Sequence, residues 1–265
     1  MKHLVLAGIE QGRTHWLHDG TSDDGEEGLP RDKRVRVHTL LLSDLHLGTD
    51  AARAEAAIAT LNTFWFDQIV LNGDVFENLD FTRLPKRHWK LLSRIRKLSD
   101  PDRPVTEAWV RGNHDLGIIE VMSHLVGVPV YSEYRWEYGG RTYLAIHGDQ
   151  FDSAVGRSPA ATRWLGIVHR PLRALDPKNR HLNAWLLKRV SAWRRETARV
   201  QEGAVRHARK RGVQTVFCGH THEPVDTVVD GIRYMNSGSW TEDPCSFITV
   251  GEDGPSLHMV RQVTV

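Results

Sequence analysis

The chain has 265 residues, 35 Lys and Arg against 33 Asp and Glu, and a formal net charge of +2. That length fits one large domain or a domain with a sizeable insertion, and the 40% apolar content supplies a core. No apolar run approaches the roughly 20 residues that span a bilayer, and the run at 4–9 is too short for a signal-peptide core, so the expected location is the cytoplasm. Cys218 and Cys245 lie outside any CxxC pattern and read as reduced thiols.

Residues 1–34 begin the chain with little patterning. The stretch 19–28 has no apolar residue and many acids, so it buries too little surface to offset its ordering entropy. The expectation is a flexible N-terminal extension over 1–34 and a folded domain over 35–265. Residues 35–42 read as a strand, Asp50 as the cap of a helix running to about Trp65, and 68–71 as the next strand. A basic amphipathic helix is expected over 88–98, with Trp89, Leu92 and Ile95 as its apolar face; Pro101 and Pro104 end it. A third strand follows at 105–110 and a short helix at 116–126. Close-spaced strands are then expected at 128–131, 134–138 and 142–146, with Gly139-Gly140 as a hairpin turn. Residues 158–211 read as helical. The remaining strands are placed at 213–218, 225–229, 232–235, 246–250 and 257–263. This order gives a parallel βαβ half followed by a more antiparallel half. The fold class is α/β, with two sheets packed face to face and helices outside.

Five of these strand ends carry the same polar signature: Asp44 with His46, Asp74, Asn113 with His114, His147, and His220 with His222. Strands of one βαβ unit deliver their tips to the same sheet edge, so Asp44, His46 and Asp74 converge. Converging carboxylates repel unless a cation joins them. The set mixes carboxylate, imidazole and amide oxygen and contains no thiolate, which excludes a cysteine-type structural zinc site. Prominent imidazole favours Mn, Fe or Zn over Ca or Mg, and the donors outnumber what one ion needs, so two ions sharing a carboxylate is the natural arrangement. The remaining histidines, His88 and His258 among them, read as surface or core residues.

In this order, the motifs DxH, GDxxxN, GNHD, HGD and GHTH resemble the calcineurin-like metallophosphoesterases over roughly residues 35–250. The resemblance implies a two-sheet αββα sandwich and two divalent ions, Mn first, with Fe or Zn as alternatives. It places Asp44, His46 and His222 on the first ion, Asn113, His147 and His220 on the second, and Asp74 between them. It gives His114 the leaving-group side, as general acid or charge partner. Asp115 either orients His114, supports its turn or caps the following helix. The implied chemistry is in-line attack on phosphorus by a hydroxide formed from water between the ions.

The segment after His147, and Gly238-Ser239-Trp240, resemble the UDP-2,3-diacylglucosamine pyrophosphatase-like branch, in which a helical cap insertion, here at about 152–212, holds a lipid-bearing substrate. From residue 151 to 212 there are fifteen Arg and Lys against four acids, Asp152, Asp176, Glu196 and Glu202. Arg163, Arg170 and Arg194 alternate with Trp164 and Leu residues, a pattern that suits an anionic lipid head group or a membrane surface in preference to nucleic acid. These four are the expected substrate contacts, and peripheral contact with the inner membrane face is the expected partner interaction. One departure stands out. That branch carries Arg where His114 stands here, which favours as alternatives a phosphodiesterase or phosphatase of other specificity. A non-enzymatic scaffold is disfavoured because no ligand motif is missing.

Overall fold

The computed structural model describes residues 2–10, 13–18, 30, 33–78, 80–99, 105–115, 128–152 and 180–264. The N-terminal elements are β1 (Lys2–Glu10), β2 (Arg13–His18), β3 (Val35–Arg36), β4 (Thr39–Leu42), α1 (Ala54–Thr63), β5 (Phe64–Trp65) and β6 (Gln68–Asn72). Then come α2 (Lys86–Arg96), β7 (Thr106–Val110), β8 (Val130–Tyr131), β9 (Tyr134–Tyr138), β10 (Arg141–Ala145) and α3 (Arg180–Arg211). The chain closes with β11 (Thr215–Cys218), β12 (Val225–Val229), β13 (Ile232–Asn236), β14 (Cys245–Gly251) and β15 (Gly254–Thr264).

An eight-stranded sheet runs β2-β1-β15-β14-β4-β6-β7-β8, and a five-stranded sheet runs β12-β13-β11-β10-β9. In the first, β4, β6, β7 and β8 are parallel. In the second, β10, β11 and β13 are parallel, with β9 and β12 antiparallel at the edges.

The central strands are apolar on both faces, and their alternation sorts side chains into three layers. Leu41 on β4 and Val70 on β6 point between the sheets, where they meet Tyr143, Ala145, Phe217 and Met235 of the other sheet. Leu40, Leu42, Ile69 and Leu71 point the other way, onto Ala57 and Leu61 of α1 and Leu91 and Ile95 of α2. On the far side, Leu144, Ile146, Val216 and Cys218 pack under Ala204, Val205 and Ala208 of α3. The result is the expected α/β sandwich with helices outside. Both cysteines are free and buried.

Several expectations need correction. Residues 1–34 are not wholly a flexible extension: β1 pairs antiparallel with β15, and β2 pairs with β1. The apolar run in 2–10 satisfies the open edge of the long strand β15, a pairing with no signal in local sequence. The acidic run 19–28 lies outside the described residues, as does the helix expected at 116–126. Asp50 does not cap α1. The helix starts after Arg53 with no side-chain cap, because Arg53 donates its N–H to the Trp240 carbonyl (3.0 Å) and Thr49 closes a turn onto Ala52. The helix also stops early: Phe64–Trp65 turns extended and pairs with Val35–Arg36. The buried face of α2 is His88, Leu91 and Ile95, and Trp89 is 48% exposed. The face is rotated because the His88 Nδ1 accepts the Gly48 N–H at 3.0 Å, which turns His88 inward. The helical insertion expected at 152–212 is described as α3 from Arg180 onward; 153–179 lies outside the described residues.

Candidate metal centre

Parallel strands put the loops after β4, β6 and β7 at one end of the first sheet, and those after β10, β11 and β13 at one end of the second. The loops are tied to each other through the backbone. Asp44 donates its N–H to the Gly73 carbonyl (3.0 Å), His46 to that of Asp74 (3.0 Å), and Gly219 to that of His147 (3.0 Å). The Asp44 carboxylate accepts the His220 N–H with both oxygens at 3.1 Å, joining the two sheets.

The backbone is strained at the same positions. Among the described residues, Asp44, His46, Asp74, His220 and His222 all have positive φ, between 44° and 66°. Each such conformation costs about 1–3 kcal/mol in a non-glycine residue, a strain concentrated at functional sites. Two glycines permit the close approach. A Cβ on Gly112 would lie 2.2 Å from Asp74 Oδ1, and one on Gly219 would lie 2.3 Å from Asp44 Oδ2.

The side chains converge in three overlapping groups: Asp44, His46 and His222; His46, Asp74 and His114; Asp74, His147 and His220. Within each group the donor atoms lie within 4.8 Å of one another. The Asp44 Oδ1 is 3.2 Å from His222 Nε2, and the Asp74 Oδ2 is 3.3 Å from His147 Nε2 and 3.9 Å from His46 Nε2.

The outward ring nitrogens are anchored. His46 Nδ1 meets Glu77 Oε2 at 3.0 Å, and His147 Nδ1 meets the Asn72 carbonyl at 2.9 Å. His114 Nδ1 meets the Glu77 carbonyl at 2.8 Å, and His220 Nε2 meets Asp152 Oδ2 at 2.9 Å. Carbonyls and carboxylates only accept, so in a neutral ring the anchored nitrogen carries the hydrogen, and at His46, His147 and His220 the other keeps its lone pair for the centre.

The site draws positive charge. Burial pushes the Asp44 carboxyl up, but His222 and His147 more than reverse this and hold it below its ordinary range. Asp74 is likewise buried and likewise held low, by His147, His46 and His114. Burial lowers His147 and His222, but Asp74 raises the first and Asp44 the second above the ordinary imidazole value. Two buried carboxylates that pull protons onto their neighbours fit a site for divalent cations. The buried Asn113 Oδ1 fits it as well, since it has no hydrogen-bond partner.

Asp115 has a different part. Its carboxylate accepts from Gly112 N (3.2 Å), Phe76 N (3.4 Å) and Trp109 Nε1 (3.5 Å), so it supports the turn. Burial first, and then the charge of Asp74, push it up to about 6. Arg194 is exposed on α3, while Arg163, Trp164 and Arg170 lie outside the described residues. The Asp152 contact has no signal in the sequence, where Asp152 reads as an acid of the insertion. Asn236 supports the loops, donating to the Gly219 carbonyl at 2.6 Å.

Residues 37–250 match the family model of the calcineurin-like phosphoesterase superfamily domain. No curated protein matches the chain. Among solved structures, the chain is similar to Yfce, a phosphoesterase from E. coli, at 18% identity, with 81% of this chain and 88% of that chain covered and a TM-score of 0.44. It is similar to the phosphopantetheinyl hydrolase of Mycobacterium tuberculosis at 18% identity, 87% and 96% coverage and a TM-score of 0.41. A third similar structure is wild-type Vps29 of Entamoeba histolytica complexed with zinc, at 14% identity, 85% and 97% coverage and a TM-score of 0.39.

Proposed function

The chain belongs to the calcineurin-like phosphoesterase superfamily, and on that premise we propose that it hydrolyses a pyrophosphate or phosphodiester bond with two divalent ions, Mn first. The observation that carries this reading is the convergence of Asp44, His46, Asp74, His147, His220 and His222 from two sheets onto one spot. Asp44, His46 and His222 would hold one ion, Asn113, His147 and His220 the other, and Asp74 both. Bound there, the ions supply a nucleophile near neutral pH and offset charge on the phosphoryl oxygens.

The chain's own groups do the rest. His114 is oriented by the Glu77 carbonyl at Nδ1 and by its own N–H, which donates to Asp74 Oδ1 at 2.9 Å. Its Nε2 is left for substrate. There the ring would donate a hydrogen bond or proton to the departing oxygen, or offset charge beside it. Asp115 keeps the GNHD turn in register.

For the substrate, we favour a lipid-linked nucleotide of the UDP-2,3-diacylglucosamine kind. The fifteen Arg and Lys of residues 151–212 support it. So does Trp193, 46% exposed on α3 beside exposed Arg194 and Arg195. Basic residues with an exposed Trp suit an anionic head group, and the same surface supports peripheral membrane contact. No helix among the described residues is long and apolar enough to cross a membrane. A phosphodiesterase of other specificity is the second reading, favoured by His114 standing where the pyrophosphatase branch carries Arg.

The test is hydrolysis by Mn-loaded protein of UDP-2,3-diacylglucosamine beside bis-p-nitrophenyl phosphate, with Asp74→Asn as control. Fast release of UMP supports the lipid-linked substrate. Turnover of the model diester alone keeps the hydrolase and removes that substrate.

A further inference from the structure

We infer that Asp152 is a positioning residue for His220, and that through it the helical insertion sets the affinity of one of the two ion positions. This rests on the dinuclear reading above. Asp152 is buried, and its Oδ2 lies 2.9 Å from His220 Nε2. The carboxylate accepts, so His220 Nε2 carries the hydrogen and Nδ1 keeps the lone pair. His46 and His147 are held the other way round, anchored at Nδ1 with Nε2 turned to the centre. His220 thus depends on an anchor of its own. Its backbone is also strained, at φ 66°.

The anchor is carried by the stem of the insertion. Asp152 follows a single 3-10 turn, Asp149–Phe151, whose Phe151 ring lies against α3. The seat is close: a Cβ on Gly203 would fall 2.4 Å from the Phe151 ring, and Phe151 and His207 are 6.0 Å apart between ring centroids. At the other side of the same turn, a Cβ on Gly148 would lie 3.0 Å from Val200. The C-terminal part of α3 is tied to the link between β8 and β9, with His207 2.6 Å and Arg211 2.8 Å from Glu133. A shift of α3 therefore moves Phe151, with it Asp152, and with it the ring of His220. Side-chain packing transmits such shifts because interiors are dense and deform little.

The experiment uses the full chain, stripped by a chelator and titrated with Mn²⁺ by calorimetry, with bound metal counted after gel filtration. The variants are Asp152→Ala, Asp152→Asn, Gly203→Ala and Asp74→Asn. Wild type should show two sites. Asp152→Ala should weaken one of them by about 10–100-fold and leave the other unchanged. Asp152→Asn keeps an accepting oxygen and should lose less. Gly203→Ala touches no ligand and should weaken the same site as Asp152→Ala. Wild-type affinity at both sites in Asp152→Ala overturns the inference, and so does equal weakening of both. Two wild-type sites in Asp74→Asn would instead overturn the dinuclear reading, whatever the Asp152 variants do.

Discussion

At the residue scale, the centre is a set of short polar side chains held in conformations that their own chemistry disfavours. Asp44 and Asp74 are buried carboxylates, and each is kept ionised by imidazoles at 3.2–3.3 Å. On the proposed dinuclear reading, replacing Asp74 with Asn removes the charge that both ions would share. Metal content should fall toward zero, and hydrolysis should drop by more than the roughly 10–100-fold typical of losing an outer carboxylate. Gly112→Ala tests the close approach. Its Cβ would meet Asp74 Oδ1 at 2.2 Å and the Asp74 backbone nitrogen at 2.4 Å, so Asp74 must move. A displacement on the order of 1 Å costs about 10²-fold in rate, which kcat/KM on a model diester would report. The convergence of these residue types was readable in the sequence, because each follows an apolar strand and each is of a type that can hold a metal ion. The positive φ angles were not, since a lone Asp or His after a strand reads equally as a turn residue. Nor was Asp152, whose partner His220 lies 68 residues away.

At the element scale, strand alternation was the signal that held. Leu40 and Leu42 face the helices while Leu41 faces the other sheet, and all three are fully buried. Leu41→Ala opens a cavity between the sheets and should cost about 2–5 kcal/mol, measurable by denaturant unfolding. Helix faces were harder to read. The α2 pattern admits either Trp89 or His88 as the inward residue, and a backbone contact from Gly48 decides it. One strand carries a pH dependence of its own. On β15, His258 stacks on Phe247 (4.9 Å, 18°) and pairs with Thr249 Oγ1 at 2.7 Å. Burial lowers it from 6.5 to about 4. The unfolded chain therefore binds a proton that the folded chain refuses, and stability falls as pH drops from 6.5 toward 4. His258→Phe should remove that part of the decline, read as a flatter melting-temperature profile across this window.

At the scale of the whole molecule, the two sheets meet so that each supplies part of one centre: Asp44, His46 and Asp74 from the first, His147, His220 and His222 from the second. The five polar strand tips made the convergence readable but not its division between sheets, because the second half reads as more antiparallel while β10, β11 and β13 are parallel. The pairing of 2–18 with the far end of the sheet was hidden, since β1 finds β15 across almost the full chain length. Deleting residues 1–18 should consequently lower the melting temperature, where removal of a mere tail would leave it unchanged. Ion binding should act in the opposite sense. A ligand held only by the folded state stabilises by mass action, so saturating Mn²⁺ should raise the melting temperature and a chelator should reverse the gain.

The most direct measurement is hydrolysis of bis-p-nitrophenyl phosphate by metal-stripped protein as Mn²⁺ is added, with bound metal counted in parallel. The account predicts no turnover in the stripped protein, activity that rises with the binding of two ions per chain, and none at any Mn²⁺ concentration in Asp74→Asn. Full turnover after stripping, or wild-type turnover in Asp74→Asn, would contradict it.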